Sequence, residues 1–270
     1  MSILEAIILG IVQGITEFAP ISSSAHLVIV PYLFGWKPPF ILLLITLHLG
    51  TLTAVLFYFR VELFHLVLAL ARSIRKLSIK NDPHAKLAWL IILGTIPAAL
   101  TGYFLEDFFE RLYKNPFATG CFLLVTGIIL LSSDKAAKQT RDLSKVRVTD
   151  GVFMGLVQGL AITPGISRSG ITIAAGMANG LQRESAAHFS FLLSFPIILG
   201  AFFEAVTKSG LLVRQSVVLP LILGFLTAAL SGYLCIGYLL KYLRRGNLAV
   251  FAYYCFGLGI FTIIFNRLLS

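Results

Sequence analysis

LGIVQGITEFAPISSSAH, residues 9 to 26, returns in altered form as MGLVQGLAITPGISRSGI, residues 154 to 171. At a constant offset of 145, Gly10, Val12, Gln13, Gly14, Ile21, Ser22 and Ser24 recur as Gly155, Val157, Gln158, Gly159, Ile166, Ser167 and Ser169. Seven identities in eighteen ungapped positions point to a duplication. Chemistry concentrates where the copies differ: Glu17 is matched by Ile162, Ser23 by Arg168 and His26 by Ile171. One copy supplies a carboxylate, several hydroxyls and an imidazole, and the other supplies a guanidinium. If the two stretches face each other, they make one composite site.

The composition around them belongs in a membrane. Fifty-seven per cent of the residues are apolar and 13% charged, and the mean hydropathy is strongly positive; a soluble core of this size could not hide so much hydrocarbon. Residues 1 to 8 lack the charged flank and small-residue cleavage site of a signal peptide, so the first helix is expected to be retained. The net charge of +10 would suit a nucleic-acid partner in a soluble protein. Here Lys and Arg sit mainly between apolar stretches, as topology signals, and no nucleic-acid partner is expected. Cys121, Cys235 and Cys255 lie within apolar stretches without ligand spacing and read as small hydrophobes.

Apolar stretches over residues 39 to 59, 86 to 105, 116 to 132, 186 to 206, 217 to 240 and 247 to 268 are each long enough to cross a hydrocarbon layer of about 30 Å. The repeated stretches are shorter and broken. Residues 2 to 18 and 21 to 35 are separated by a turn at Ala19-Pro20-Ile21-Ser22, and 148 to 163 and 166 to 181 by Thr163-Pro164-Gly165. Proline discourages helix just before it and removes a donor. Both pairs therefore read as re-entrant helix-loop-helix hairpins, whose irregular backbone must be buried in protein or line a polar cavity. A second echo, at offset 130, repeats Leu93-Gly94, Ala98-Ala99-Leu100 and Gly102-Tyr103 as Leu223-Gly224, Ala228-Ala229-Leu230 and Gly232-Tyr233. Each unit thus carries one hairpin and three full spans, and three is odd. The expected fold is an all-α polytopic membrane protein built as an inverted-topology repeat, with about six full transmembrane helices plus two re-entrant pairs. It forms a single integral domain of units 1–134 and 146–270, linked by a basic cytoplasmic loop over 133–150.

Orientation follows the positive charge. Residues 60 to 86, 133 to 150 and 241 to 247, with Arg183, carry most of the Lys and Arg, whereas the opposite side holds Lys37, Arg111, Lys114, Lys208, Arg214 and Arg267. The richer side is assigned to the cytoplasm, which faces both termini and the first hairpin outward. The segment from Arg60 to Lys76 is expected to lie along the inner surface as an amphipathic helix.

Gln13 and Glu17 share one helical face just before the first break. An ionisable group there is costly and is a functional candidate; the bland alternative is exposure at an interface. Ser22, Ser23 and Ser24 open the following half-helix, whose free N–H groups favour phosphate, with His26 one turn further on. Capping accounts for one serine, and the imidazole points to another as an activated nucleophile. Ser167, Arg168, Ser169 and Gly170 open the matching half-helix, where an arginine fork suits phosphate oxygens. Its alternative is a structural ion pair with Glu17. Thr172, Gln158 and Asn179 are candidate cavity residues; His48 reads as packing, and Glu62, His65, His84 and His188 as solvated.

LGIVQGITEFAPISSSAH and ITPGISRSGITIAAG closely resemble the two signature regions of the bacterial undecaprenyl pyrophosphate phosphatases, the family associated with bacitracin resistance, and the similarity extends through FSFLLSFPIILGA at 189 to 201. Residue by residue, Gln13 and Glu17 match the family's Glu/Gln-x-x-x-Glu element. Ser22, Ser23 and His26 match its Ser-Ser-x-x-His element, and Pro164, Gly165, Ser167, Arg168, Ser169 and Gly170 its Pro-Gly-x-Ser-Arg-Ser-Gly element. Ser24-Ala25 stands where Thr-Gly is common, and Gln13 where some members have Glu. The resemblance implies removal of the terminal phosphate of the C55 isoprenyl pyrophosphate on the outer face of the cytoplasmic membrane. That reaction recycles carrier lipid for peptidoglycan synthesis, cell shape and bacitracin resistance.

The resemblance also implies a divalent cation, Mg2+ or Ca2+, held by Glu17 with substrate phosphates and water. The expected catalytic set is Glu17, Ser23, His26 and Arg168, with Gln13, Ser22, Ser24, Ser167, Ser169, Gly170 and Thr172 binding substrate. Ser23 is the expected nucleophile, Ser22 the second choice, and His26 or Glu17 the group that takes the proton. A different class of membrane lipid phosphatase would place a His where Ala174 stands. The rival function is transport of the lipid monophosphate, since inverted repeats with broken helices also build carriers. A homodimer is left open.

Overall fold

The computed structural model describes residues 2–76, 78, 82–113, 115–209 and 215–269. Among them the chain forms α1 (Ile3–Phe18), α2 (Ser23–Leu33), α3 (Ile41–Tyr58), α4 (Arg60–Lys76), α5 (Pro83–Tyr113), α6 (Pro116–Ala136), α7 (Val148–Leu160), α8 (Arg168–Ala178), α9 (Arg183–Ser209), α10 (Gln215–Leu243) and α11 (Ala249–Leu269). A single 3-10 turn, Leu143–Lys145, lies in the linker before α7. Six helices, α3, α5, α6, α9, α10 and α11, are long and apolar enough to cross a membrane. The chain is an all-α polytopic membrane protein. Lys80, Lys114 and Arg214, three of the charges used for orientation, lie outside the described residues.

The repeated segments form short helices, as the prolines and polar breaks require. α1, α2, α7 and α8 contain 16, 11, 13 and 11 residues. At about 1.5 Å per residue none reaches the roughly 30 Å of a hydrocarbon core. α4 is helical where an amphipathic surface helix is expected, and Val61, Phe64, Val67 and Ile74 are exposed along it.

Lipid tails are as apolar as leucine, so helices associate here through close packing rather than hydrophobic expulsion. Glycine permits that approach. A Cβ on Gly10 of α1 would lie 2.5 Å from the Gly224 carbonyl oxygen of α10, and one on Gly155 of α7 would lie 2.2 Å from the Gly94 carbonyl oxygen of α5. Gly10 and Gly155 are equivalent at offset 145, and Gly224 and Gly94 at offset 130. The same contact is thus made twice, with the roles of the two halves exchanged. One turn on, a Cβ on Gly14 would meet Ser231 and one on Gly159 would meet Thr101, another equivalent pair.

α9 is the most enclosed of the six long helices, with 50% of its apolar window buried, against 22% for α11. Its Phe191 meets Phe18, the last residue of α1, edge-on at 5.3 Å between centroids, and both rings are fully buried. Each ring is the chain neighbour of a polar residue described below, Phe18 of Glu17 and Phe191 of Ser190.

Candidate active site

The two breaks meet inside the bundle. Ser22 is the N-cap of α2 and Ser167 the N-cap of α8, their side chains accepting from the backbone N–H of Ala25 and Gly170. The first helical residues are therefore Ser23 and Arg168, so the two positions that diverge most in chemistry occupy the same place in the two hairpins. The second break is fastened by Thr126 of α6, whose hydroxyl donates to the Gly165 carbonyl at 2.8 Å and accepts from the Ser167 N–H at 3.1 Å. Ser169 then reaches across, donating to the carbonyl of Ala19 in the first break at 3.2 Å.

Glu17 is the hub. Its Oε1 accepts from Arg168 Nη2 at 2.7 Å, while its Oε2 accepts from the Ser23 hydroxyl at 2.7 Å and from Gln13 Nε2 at 3.0 Å. His48 Nε2 lies 3.9 Å from the same Oε2. The carboxylate is nearly enclosed, with 6% of its side chain exposed, and a charge there needs partners of this kind. The structural ion pair between Arg168 and Glu17 is thus present, and it joins the two hairpins. Arg168 Nη1 also lies 3.4 Å from the Ser190 carbonyl of α9.

The serines separate by exposure. Ser22, Ser167 and Ser169 are buried, whereas Ser23, Ser24 and Arg168 are partly open. Ser22 and Ser24 share a hydrogen bond at 3.1 Å, as do Ser167 and Ser169 at 3.2 Å. Ser22 further adopts φ +69°, and an L residue held there stores on the order of 1–3 kcal/mol. His26 is buried beside it, with Nδ1 2.7 Å from the Ser22 carbonyl and Nε2 2.7 Å from the Tyr254 hydroxyl of α11. The Ser23 hydroxyl is bonded to Glu17, while both nitrogens of His26 are engaged elsewhere.

Gly170 is the residue whose N–H caps onto Ser167, and Thr172 is fully buried, its hydroxyl meeting Ser190 Oγ at 2.6 Å and the Arg168 carbonyl at 2.7 Å. Thr172 therefore links the Arg168 backbone in α8 to Ser190 of α9. Gln158, the counterpart of Gln13, is buried, and neither of its side-chain polar atoms has a partner among the described residues. Asn179 caps the far end of α8, where its carbonyl accepts from Arg141.

A carboxylate, a hydroxyl and a guanidinium thus come together where two broken helices meet. The family described as bacitracin resistance protein BacA matches residues 6–261. This chain belongs to that family. Among its relatives, the undecaprenyl-diphosphatase of Moorella thermoacetica is 43% identical over 254 residues, covering 94% of each chain. Those of Methanobrevibacter smithii and Carboxydothermus hydrogenoformans are each 42% identical, the first covering 98% of both chains and the second 98% of this chain and 97% of the relative.

Three members of the site of this BacA-family chain, Thr126, Ser190 and Tyr254, escape the sequence reading, and a fourth, His48, reads there as packing. Each sits in a long apolar span whose sequence marks no face as special. The sequence reading also takes Arg141, Glu62 and His188 as solvated or as topology signals. Arg141 makes a two-pronged ion pair with the fully buried Asp150 at 2.8 and 2.9 Å, and His188 meets Glu62 at 2.7 Å. These pairs tie the linker to α7, and α4 to α9.

Proposed function

We propose that this chain hydrolyses undecaprenyl pyrophosphate to undecaprenyl phosphate and phosphate, with Ser23 as nucleophile. The observation that carries the reading is the pair of short contacts converging on Glu17, from Ser23 at one oxygen and Arg168 at the other. Ser23 Oγ attacks the terminal phosphorus, its proton passes to Glu17 Oε2, and the bond to the bridging oxygen breaks as the lipid monophosphate leaves. Water then attacks the phosphoserine and releases phosphate, and Ser23 regains its proton. Partial exposure favours Ser23 over the buried, capping Ser22, and its bond to Glu17 favours that carboxylate over His26 as acceptor. Arg168 and the free N–H groups at the starts of α2 and α8 supply the fixed positive potential on which phosphoryl transfer depends.

Among the described residues no group of three or more His, Cys, Asp or Glu could hold a metal ion. Glu17 and Gln13 nevertheless suit a hard cation, because Gln13 Oε1 is a buried oxygen with no partner among the described residues. Mg2+ or Ca2+ would draw its other ligands from phosphate and water and would offset charge on the pyrophosphate. Units 1–134 and 146–270 are read as inverted repeats about an axis in the membrane plane, a reading supported by the exchanged glycine contacts. The protein is placed in the cytoplasmic membrane with the site open to the outer face, as the distribution of Lys and Arg favours. Transport is the weaker reading, since Glu17, Ser23 and His26 have no counterparts in the second copy.

The test is phosphate release from a short-chain isoprenyl pyrophosphate by purified protein, with and without chelator, for wild type and Ser23→Ala. Release that needs a divalent ion and vanishes in Ser23→Ala while lipid binding persists is the expected result. Turnover retained by Ser23→Ala would replace the covalent route by direct attack of water. In sealed vesicles of known sidedness, substrate on the Lys37 side alone is expected to turn over, and turnover from the opposite side would reverse the orientation.

A further inference from the structure

Tyr254 lies 228 residues from His26, on the last helix, and no motif includes it. Its hydroxyl is 2.7 Å from His26 Nε2, and the two rings are parallel within 8° at 5.7 Å between centroids. The opposite nitrogen, Nδ1, faces the Ser22 carbonyl at 2.7 Å. A carbonyl oxygen can only accept, so Nδ1 carries the hydrogen. In the neutral ring Nε2 is then the acceptor, and the Tyr254 hydroxyl donates to it. The polarity of the chain is thereby fixed, from Tyr254 to His26 to the carbonyl of Ser22.

That carbonyl belongs to the one non-glycine residue of the first hairpin with positive φ, and it also accepts the His26 backbone N–H at 3.3 Å. The next residue is Ser23. A backbone held in a sparsely populated conformation persists only where its surroundings enforce it. Here the Ser22 carbonyl is bonded by an imidazole that is bonded in turn by a tyrosine. A second clasp lies further along α2, where Tyr32 donates to Asn266 at 3.4 Å and packs edge-on to Phe265 of α11. α11 thus grips α2 at two levels, and the upper level reaches the start of the helix through His26.

We propose that Tyr254 is a positioning residue for the hydrolytic reaction, acting through His26 to hold the Ser22 carbonyl and thereby the backbone that presents Ser23 to Glu17. The proposal rests on the reading of Ser23 as nucleophile. It gives His26 a task other than accepting the serine's proton, and it makes α11 part of the site.

Tyr254→Phe keeps the stacked ring and removes only the donor. It is expected to lower kcat about tenfold with KM within about twofold, the signature of lost geometry rather than lost substrate affinity. The decisive readout is a double-mutant cycle on phosphate release from the short-chain isoprenyl pyrophosphate. In a His26→Ala background, Tyr254→Phe is expected to cost nothing further, because the link it acts through is gone. Wild-type kcat in Tyr254→Phe, or an equal loss in both backgrounds, would overturn the proposal. Should Tyr254→Phe lower the thermal midpoint enough to cloud its kinetics, His26→Asn serves instead. Asn retains a donor at the position of Nδ1, so it is expected to keep more activity than His26→Ala, and parity between the two would overturn the proposal. Ser23→Ala, assayed in parallel, separates the two ideas. Turnover retained there removes the nucleophile assignment, whereas the Tyr254–His26 coupling is scored within its own cycle.

Discussion

The hairpin of α1 and α2 and the hairpin of α7 and α8 share a plan, and they solve their sharpest turn differently. In the second, the left-handed residue is Gly165 at φ +99°, which glycine adopts freely, and the N-cap Ser167 sits at an ordinary φ of −76°. In the first, the N-cap itself, Ser22, takes φ +69°. The strained cap precedes the hydroxyl, and the relaxed cap precedes the guanidinium. In the proposed mechanism the strained cap is thus next to the nucleophile and the relaxed cap next to the arginine that holds charge.

The widest gap between the hairpins should appear at Glu17 and its counterpart Ile162. Glu17→Ala removes the acceptor for Ser23 and the counter-charge of Arg168, and phosphate release should fall by about 10²–10³-fold. Ile162→Ala should stay within about twofold of wild type, since no bond to the reacting groups passes through it. A comparable loss in both variants would erase the functional asymmetry of the two copies.

At the glycines the hairpins should instead behave alike. Gly10→Val and Gly155→Val each push a side chain into a facing backbone carbonyl, and each should destabilise by about 1–3 kcal/mol, read as a lowered thermal midpoint in detergent. If only one variant is affected, the exchanged contacts are not equivalent in energy.

The smallest effect separates the caps. Ser22→Gly loses a capping oxygen but relieves an unfavourable φ by about 1 kcal/mol, whereas Ser167→Gly loses its cap with nothing in return. Chemical denaturation should find Ser22→Gly the more stable of the two. The reverse order would mean that the Ser22 backbone is not strained in the folded protein.

What the sequence made legible was whatever broke a pattern. The prolines at 20 and 164, the serine runs, and a carboxylate and an arginine amid apolar residues each interrupted hydrocarbon, and each marked a place where the structure bends or gathers charge. Gln13, Glu17, Ser23 and Arg168 were found together for that reason. Tyr254, Ser190 and Thr126 were not, because a tyrosine, a serine or a threonine within a membrane span is ordinary, and which way it points depends on how the helix is rotated against its neighbours. His48 was seen and read as packing, since nothing in the order of residues shows that α3 passes beside Glu17. Asp150 and Arg141 were separable only by burial, which a list of residues does not contain.

The exchange of partners between the two halves also bears on how the protein is made. α1 is made well before its close partner α10, which lies more than 200 residues later. Until residues 215 to 243 have been synthesised, the groove along Gly10 and Gly14 has nothing to fill it, and Glu17 stands in the membrane before Arg168 has arrived to neutralise it. The site around Glu17 therefore closes only after α8 and α10 have been made. A nascent chain halted after α6 would carry Glu17 without its arginine and α1 with an open glycine face.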